Sequence, residues 1–282
     1  MKTYFHRTTC AECGESYDST MSGCPHCHAR NAELGESTRF RNDLHVDWIY
    51  NIAFLLVGLI GFQIIGTIVQ LFISPYYQSG ALSENEANMM VNGIAYGFLF
   101  VVLALMVYFS RSWREYLRSY CSLKTWGVAV LGFLGLLAAS VIWNLIKQLL
   151  VESSGDNANQ STIVDLVKLF PAASVLVFGI LGPLCEEITY RSGLFSLLKR
   201  VNRPFAYIVS AFIFGSIHFD WSCLANISEN YSNFLNELVN LPDYIFAGVI
   251  LAFVYDRWGI GASSGAHAFN NLYSVIGIML VY

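Results

Sequence analysis

Charged residues are scarce in this chain: Asp, Glu, Lys and Arg make up 13% of its 282 residues, whereas 55% are hydrophobic. Because soluble domains carry about 25% charged residues, this composition excludes a typical soluble domain and indicates a polytopic membrane protein. Positive charge is not in excess either, since the net charge is −4 and the basic residues are spread along the chain. This distribution gives no reason to expect nucleic-acid binding. The N-terminus lacks the apolar core of a signal peptide, so we expect no cleavable leader.

Long apolar runs fill most of the chain. A transmembrane helix needs about 20 mostly apolar residues, and we count seven candidate segments. The fifth and sixth are short, so each is a candidate for a partial, tilted or re-entrant helix. We therefore predict an all-α transmembrane bundle of about seven spans, at residues 48–73, 88–110, 126–149, 172–195, 204–219, 243–255 and 262–282.

Basic residues lie mainly on one side of these predicted spans. Short cytoplasmic loops are enriched in Lys and Arg, and 13 of the 16 basic residues precede the first span or lie in alternate connections. The opposite connections carry mainly acidic residues, and we place Glu237 in one of them. The predicted topology is an integral membrane protein with its N-terminus in the cytoplasm and its C-terminus outside.

Four of the seven cysteines form two Cys-x-x-Cys motifs: Cys10, Cys13, Cys24 and Cys27. Four thiolates complete the shell of one tetrahedral ion, so residues 1–30 are predicted to be a structural zinc ribbon. Two disulfides are the alternative, which a reducing cytoplasm disfavours, and His26 or His28 is an alternative fourth ligand. Residues 31–47 would form a polar linker. Regulation, anchoring or docking of a cytoplasmic partner would each explain the ribbon.

Three groups of residues within the most apolar part of the chain are spaced to share a helix face: Glu186, Glu187 and Arg191; Phe214 and His218; His267 and Asn271. Ionisable groups in membrane helices are expensive and usually functional. A buried ion pair between Glu187 and Arg191 with only a structural role is the simpler interpretation of that pair, and a lone histidine is more often a core residue. Glu186 has no cation at pairing distance along its own helix face, which favours a general base.

The spacing of the motifs predicts that they meet. A turn near Asn202 would place Glu186 and His218 at equal depth, because each lies sixteen residues from it. His267 follows the Gly- and Ser-rich stretch 259–265, which we expect to be an irregular connection lining the interior. A carboxylate and an imidazole can activate water, while a second imidazole and an amide can donate to an oxyanion. The set therefore predicts hydrolysis without a serine or cysteine nucleophile.

The ordered motifs EExxxR, FxxxH and HxxxN resemble the CPBP family, also called CAAX proteases and bacteriocin-processing or Abi proteins. The resemblance covers residues 172–282 as a catalytic helical core and leaves the helices of residues 48–171 and the ribbon outside. It implies an intramembrane glutamic endopeptidase that cleaves a membrane-associated peptide or protein. An N-terminal ribbon favours a prokaryotic member, and therefore a prokaryotic plasma membrane.

The resemblance also implies a role for each motif residue. Glu186 and His218 would activate water, and His267 and Asn271 would form the oxyanion hole. The residues that brace the site would be Glu187, Arg191 and Phe214.

Other functions remain open at this point. One Glu and two His could instead ligate a catalytic zinc, although we favour chemistry without a catalytic metal because the third motif suits hydrogen-bond donation. A non-catalytic membrane binding or immunity protein could use the same cavity. A transporter would use the buried Glu and His as relay groups, but the inverted repeat expected of one is not visible in the sequence.

Overall fold

The computed structural model describes residues 7–19, 21, 23–29, 31, 46–151, 155–225, 227–228 and 230–281. Across these residues, a two-stranded antiparallel sheet precedes nine α-helices and one short 3₁₀ turn. The strands are β1 (Arg7–Thr9) and β2 (Ser16–Asp18). The helices are α1 (Trp48–Gln78), α2 (Glu84–Phe109), α3 (Trp113–Ser119), α4 (Leu123–Leu150), α5 (Ala158–Leu169), α6 (Pro171–Lys199), α7 (Arg203–Ser216), α8 (Tyr231–Trp258) and α9 (Ile260–Val281). Most of the predicted linker 31–47 lies outside the described residues.

Polar side chains define where many of the helices begin. Their oxygens accept hydrogen bonds from backbone N–H groups of the first turn, which otherwise lack a partner. Ser83 and Glu86 form a reciprocal capping box at the start of α2. The other capping residues are Asp47, Ser122, Asn157, Asn202 and Asn230.

Five of the described helices, α1, α2, α4, α6 and α8, are long and apolar enough to cross a membrane. This confirms an integral membrane protein with an all-α architecture. The predicted fifth span is the 14-residue helix α7, about 21 Å long and therefore shorter than the ~30 Å of hydrocarbon. The predicted seventh span is the 22-residue α9, whose first half contains Ser, His and Asn.

Two local predictions are wrong. The predicted sixth span, 243–255, is only the second half of the 28-residue α8, so Glu237 lies inside this helix and is buried rather than in a loop. The Gly- and Ser-rich stretch 259–265 is not an irregular connection, because only Gly259 separates α8 from α9 and residues 260–265 are helical and buried. Small side chains allow such close packing: a Cβ added at Gly265 would lie 2.8 Å from that of Ala129 in α4.

Helix α6 occupies the centre of the bundle. Of its most apolar 18-residue window, 56% is buried, compared with 11–28% in the other four candidate spans. The outer helices α1, α2 and α4 instead expose many large apolar side chains, as expected of surfaces that face lipid. The motif that contains Glu186 and Glu187 therefore lies on the most enclosed helix.

Part of α6 is a π-helix, Glu187–Phe195, and α1 contains a shorter π-helical segment, Val57–Gly61. Hydrogen bonds from residue i to i+5 are rare and occur frequently at functional sites. The two helices touch at glycines: a Cβ on Gly58 would lie 1.9 Å from Oγ1 of Thr189, and one on Gly193 would lie 2.9 Å from the backbone N of Leu55. Helix α1 therefore packs directly on the backbone of the π-helix.

Candidate active site

A cavity of about 460 Å³ opens between helices α2, α4, α5, α6, α8 and α9 and the end of α7. Its lining includes all four residues to which the sequence assigned a catalytic role, Glu186, His218, His267 and Asn271. They come from three separate parts of the chain, and the turn predicted near Asn202 is present between α6 and α7.

His267 lies between the two adjacent glutamates. Its Nδ1 lies 3.1 Å from Oε1 of Glu187, and its Nε2 lies 3.7 Å from Oε2 of Glu186. A carboxylate can only accept, so Nδ1 carries the proton of the first contact. Glu187 is fully buried, whereas the Glu186 side chain is 15% exposed in the cavity wall. The glutamates therefore have different environments, one orienting the ring and the other facing the cavity.

His218 lies in the turn just after α7, which ends at Ser216. Its Nδ1 donates to the carbonyl of Phe214 at 2.9 Å, so in the neutral ring Nε2 is the acceptor. The ring stacks on Tyr244 with centroids 4.4 Å apart and planes 14° apart. This fixed orientation suits His218 to accept a proton from a molecule in the cavity.

Two residues that the sequence did not single out hold the His218 turn. Asn157 caps α5 through Oδ1 and donates through Nδ2 to the carbonyl of His218 at 3.1 Å. Glu237 accepts from the N–H of Asp220 at 2.9 Å and from that of Ala158 at 2.7 Å. These contacts join α5, α8 and the turn, at sequence separations that no local pattern reveals.

Arg191 is fully buried beneath the site. Its Nε lies 3.4 Å from Oε2 of Glu187, and its guanidinium lies over the ring of Phe214, 4.8 Å from the centroid. The Phe214 ring is also 5.8 Å from that of His267 and 5.1 Å from that of His218. Phe214 thus separates the arginine from both imidazoles, while the cation is offset by Glu187 and by the face of the ring.

Asn271 donates through Nδ2 to the carbonyl of Phe178 at 3.0 Å. This carbonyl needs a side-chain donor for a local reason. Phe178 lies in the π-helical segment Val177–Leu181, where the N–H of Gly182 donates to the carbonyl of Val177. The residue five positions after Phe178, which would donate to the Phe178 carbonyl in a π-helix, is Pro183, and proline has no N–H. One N–H of Asn271 is therefore used to bind α9 to α6, and the other remains for a ligand in the cavity.

Tyr96 of α2 donates a hydrogen bond to Oε1 of Glu186 at 3.2 Å. Nothing in the sequence separates it from the other fifteen tyrosines. The far end of the cavity is polar as well: Ser140 bonds Asp243 at 3.0 Å, and Lys147 bonds Asn240 at 3.0 Å. The i, i+4, i+7 spacing of Ser140, Asn144 and Lys147 does predict a common helix face.

The N-terminal cysteines gather at one point. Ligand atoms of Cys10, Cys13, Cys24 and Cys27 all lie within 4.8 Å of one another, and this is the one such group of three or more potential ligands in the described residues. The Cys10–Cys27 and Cys13–Cys24 sulfurs are 3.5 Å apart, close to the ~3.8 Å edge of a tetrahedron with 2.3 Å Zn–S bonds. The alternative of two disulfides is wrong, because every cysteine is free.

Backbone N–H groups point at sulfurs of this cluster. A hydrogen bond from the backbone at Cys13 is the largest contribution that lowers the pKa of Cys10, to about 7. At Cys13 a hydrogen bond from the backbone at Glu15 lowers the pKa, but burial and the three neighbouring sulfurs outweigh it and raise the pKa to about 12. The backbone N–H of His26 points to Sγ of Cys24 at 3.4 Å. N–H groups directed at sulfur stabilise thiolates, which are the form that ligates metals.

Residues 168–273 match the family model for type II CAAX prenyl endopeptidase Rce1-like proteins. This segment is similar to Rce1-like proteins. It contains every residue of the three intramembrane motifs, so the resemblance seen in the sequence is confirmed. The match covers α6 to most of α9 and leaves the ribbon and helices α1–α4 outside.

Three curated proteins are similar to longer stretches. The UPF0177 protein YvdC of Lactococcus lactis is 23% identical over an alignment of length 232 that covers 73% of this chain and 87% of YvdC. A Bacillus subtilis protein named "Putative membrane peptidase YdiL" is 29% identical over 52% of this chain and 54% of its own. An uncharacterized Mycoplasma capricolum protein is 26% identical over 50% of this chain and 40% of its own. No solved structure is significantly similar to the chain.

Proposed function

We propose that this protein is an intramembrane endopeptidase that hydrolyses a peptide bond of a membrane-associated peptide or protein. The observation that carries the proposal is the shared cavity, in which a carboxylate, two oriented imidazoles and an amide from three separate segments face one another. The Rce1-like match and the name of the Bacillus relative agree with a membrane peptidase.

In the proposed reaction, Glu186 and Nε2 of His218 bind a water molecule and remove its proton as its oxygen attacks the scissile carbonyl. Nε2 of His267 and the second N–H of Asn271 donate to the oxyanion of the tetrahedral intermediate. The C–N bond then breaks, and the departing nitrogen takes the proton held by the Glu186 and His218 pair. Tyr96 holds Glu186 in place through its hydrogen bond.

This assignment gives Glu187 a chemical role besides bracing. Since Nδ1 of His267 donates to Glu187, Nε2 can also donate only when the ring is protonated on both nitrogens. Glu187 provides the adjacent negative charge for that imidazolium. The reaction is proposed to proceed without a catalytic metal, and the zinc ion is assigned to the four cysteines of the ribbon.

We also propose that the ribbon lies in the cytoplasm of a prokaryotic cell and that the C-terminus lies outside, as the distribution of basic residues predicts. The polar far end of the cavity, with Lys147 and Asp243, would then face the outer side and accept polar groups of the substrate. An impermeant thiol reagent, applied to intact cells and to lysates, would test this orientation by its modification of the exposed native Cys121 and, in a Cys121→Ser background, of a cysteine introduced near Ser79.

The test of function is cleavage of a library of membrane peptides by the purified protein in lipid. Glu186→Gln keeps the size of the side chain and removes the base, so we expect cleavage to fall by about 10²-fold or more. Glu84→Gln makes the same change at an exposed position at the start of α2 and should leave the rate unchanged. Equal cleavage by wild type and Glu186→Gln would refute the mechanism. Binding of the same peptides by both proteins without cleavage would favour the non-catalytic binding function.

A further inference from the structure

The ribbon is attached to the membrane helices by a buried ion pair. Asp18, at the end of β2, accepts a hydrogen bond from Arg200, which directly follows α6. The Asp18 side chain has no exposed surface and that of Arg200 is 9% exposed. The same carboxylate accepts from the backbone N–H of Trp48, the first residue of α1, at 3.1 Å. A single ribbon side chain thus contacts both the start of α1 and the end of α6.

From Arg200, hydrogen bonds continue toward the active site. Its Nε and Nη2 donate to Oδ1 of Asn51 at 3.2 and 2.9 Å. Asn51 is fully buried and donates through Nδ2 to the carbonyl of Ser192 at 2.6 Å. Ser192 is the neighbour of Arg191 in the π-helix. We call this chain of contacts, Asp18–Arg200–Asn51–Ser192, the buried bridge.

The end of the buried bridge is rigidly packed. Beside Ser192, Gly193 contacts the backbone of α1 so closely that a Cβ there would lie 3.2 Å from the Asn51 carbonyl oxygen. A small shift of Asn51 would therefore move the π-helix backbone that carries Glu187 and Arg191. Such shifts matter because displacement of a catalytic group by about 1 Å can cost on the order of 10²-fold in rate.

Two further ion pairs join the described part of the ribbon to the helices or their caps. Arg7 pairs with Asp47, the cap of α1, at 2.6 Å, and the Arg7 side chain is 43% exposed. Glu15 and Arg111 approach to 4.0 Å, but both side chains are nearly half exposed. Exposed pairs of this kind contribute little to stability. In contrast, removing one partner of a buried ion pair is strongly unfavourable, so the Asp18–Arg200 pair is the stronger attachment.

We propose that Arg200 and Asn51 are positioning residues for the peptidase site, and that metal binding by the ribbon keeps the buried bridge intact. A module of about 30 residues has too small a core to fold alone and draws most of its folding free energy from its metal. When the ion leaves, Asp18 is no longer held opposite Arg200, and the bridge to Ser192 loosens. Metal occupancy at the ribbon thereby controls the geometry of Glu187 and His267. The activity readout of this proposal rests on the proposed function, whereas its structural readout does not.

Hydrogen–deuterium exchange of the full chain in lipid tests the structural part. We expect removal of zinc by a chelator to increase exchange in residues 187–196 by about tenfold, because local opening becomes easier. Asp18→Asn should do the same while metal analysis still finds one zinc per chain. Glu15→Gln, the matched acid-to-amide change at the exposed contact, should leave exchange unchanged. Unaltered exchange after zinc is removed would overturn the proposal.

A double variant and the cleavage kinetics complete the test of the proposal. Asp18→Asn removes the carboxylate that accepts from Arg200. If that variant does not accumulate, Asp18→Asn/Arg200→Gln breaks the bridge and removes both charges of the pair. For a peptide that the wild type cleaves, both should lower kcat by about tenfold or more with little change in KM. If kcat is unchanged in these variants and in zinc-free protein, the coupling is refuted but the peptidase function is not. If zinc removal increases exchange in residues 187–196 but the wild-type protein cleaves no peptide, the coupling is supported and the peptidase function is refuted.

Discussion

The imidazole of His267 bonds to the buried carboxylate of Glu187 at 3.1 Å while its other nitrogen faces Glu186 at 3.7 Å. Two glutamates that are adjacent in sequence are thus placed on the two nitrogens of one ring. This arrangement makes Glu187 part of the electrostatics of the site rather than only a partner of Arg191. The two roles can be separated by mutation.

Glu187→Gln is expected to destabilise the protein by about 3–5 kcal/mol, because Arg191 would remain buried without its anion. The double variant Glu187→Gln/Arg191→Met removes both charges and should recover most of the thermal stability, since replacing a buried pair by apolar groups is often neutral. Its activity should still be reduced by about 10²-fold, because His267 has lost its counter-charge. Recovery of activity together with stability would mean that Glu187 serves only as a brace.

Tyr96→Phe removes the hydroxyl that donates to Glu186. A net hydrogen bond of about 0.5–1.5 kcal/mol corresponds to a twofold to tenfold lower kcat, with KM nearly unchanged. Tyr76→Phe, at a 59% exposed position of α1, is the matched control and should have wild-type kinetics. Steady-state kinetics on one cleaved peptide would measure kcat and KM of both variants. Equal kcat in the two would show that the Tyr96 hydroxyl has no role in the reaction.

Asn157→Asp keeps the oxygen that caps α5 but loses the N–H that holds the His218 carbonyl. We expect a fall in kcat of about tenfold, because the turn that orients His218 loses one of its supports. The control is Asn230→Asp, which makes the same change at the exposed cap of α8. Because Asn157 is buried and Asn230 is exposed, Asn157→Asp should unfold at a lower temperature, so kcat is compared at a temperature at which thermal unfolding shows both variants to be fully folded. If the two variants lost activity only in proportion to their loss of thermal stability, a positioning role for Asn157 would be contradicted.

The ribbon is expected to hold one zinc per chain with four sulfur ligands. X-ray absorption at the zinc edge should give Zn–S distances of about 2.3 Å and a fit with four sulfurs. Cys24→Ser should abolish stoichiometric zinc, whereas Cys121→Ser, at an exposed cysteine outside the cluster, should retain it. A nitrogen ligand in the fit would instead favour the alternative in which His26 or His28 replaces a thiolate.

The sequence predicted those features that depend on residues close to one another in the chain. Apolar runs predicted the membrane helices, two Cys-x-x-Cys motifs predicted the sulfur cluster, and three motifs with a turn near Asn202 predicted residues that do line one cavity. The roles of those residues remain predictions. Patterns of this kind are local, so they can be recognised without knowing how the helices pack.

The sequence failed where a contact joins distant segments. Tyr96, Asn157 and Glu237 act on site residues from other helices, and the π-helix that starts at Glu187 has no signature in composition or periodicity. Glu237 was misplaced because an acidic residue near the end of an apolar run is typical of a loop. Only the fold reveals that its carboxylate accepts from the backbone N–H groups of Ala158 and Asp220.

The buried bridge changes what inhibition by a chelator means for this protein. A chelator that abolished cleavage would ordinarily be taken as the signature of a metallopeptidase. Here the same result is expected from an enzyme with no ion near the scissile bond, because the sulfur cluster is tied mechanically to the segment that bears Glu187. Asp18→Asn tests the cause of such inhibition, because it keeps all four thiolates and their ion. A lower kcat in this variant would show that breaking the bridge is enough to impair cleavage, whereas unchanged kcat together with inhibition by a chelator would point to an ion at the scissile bond.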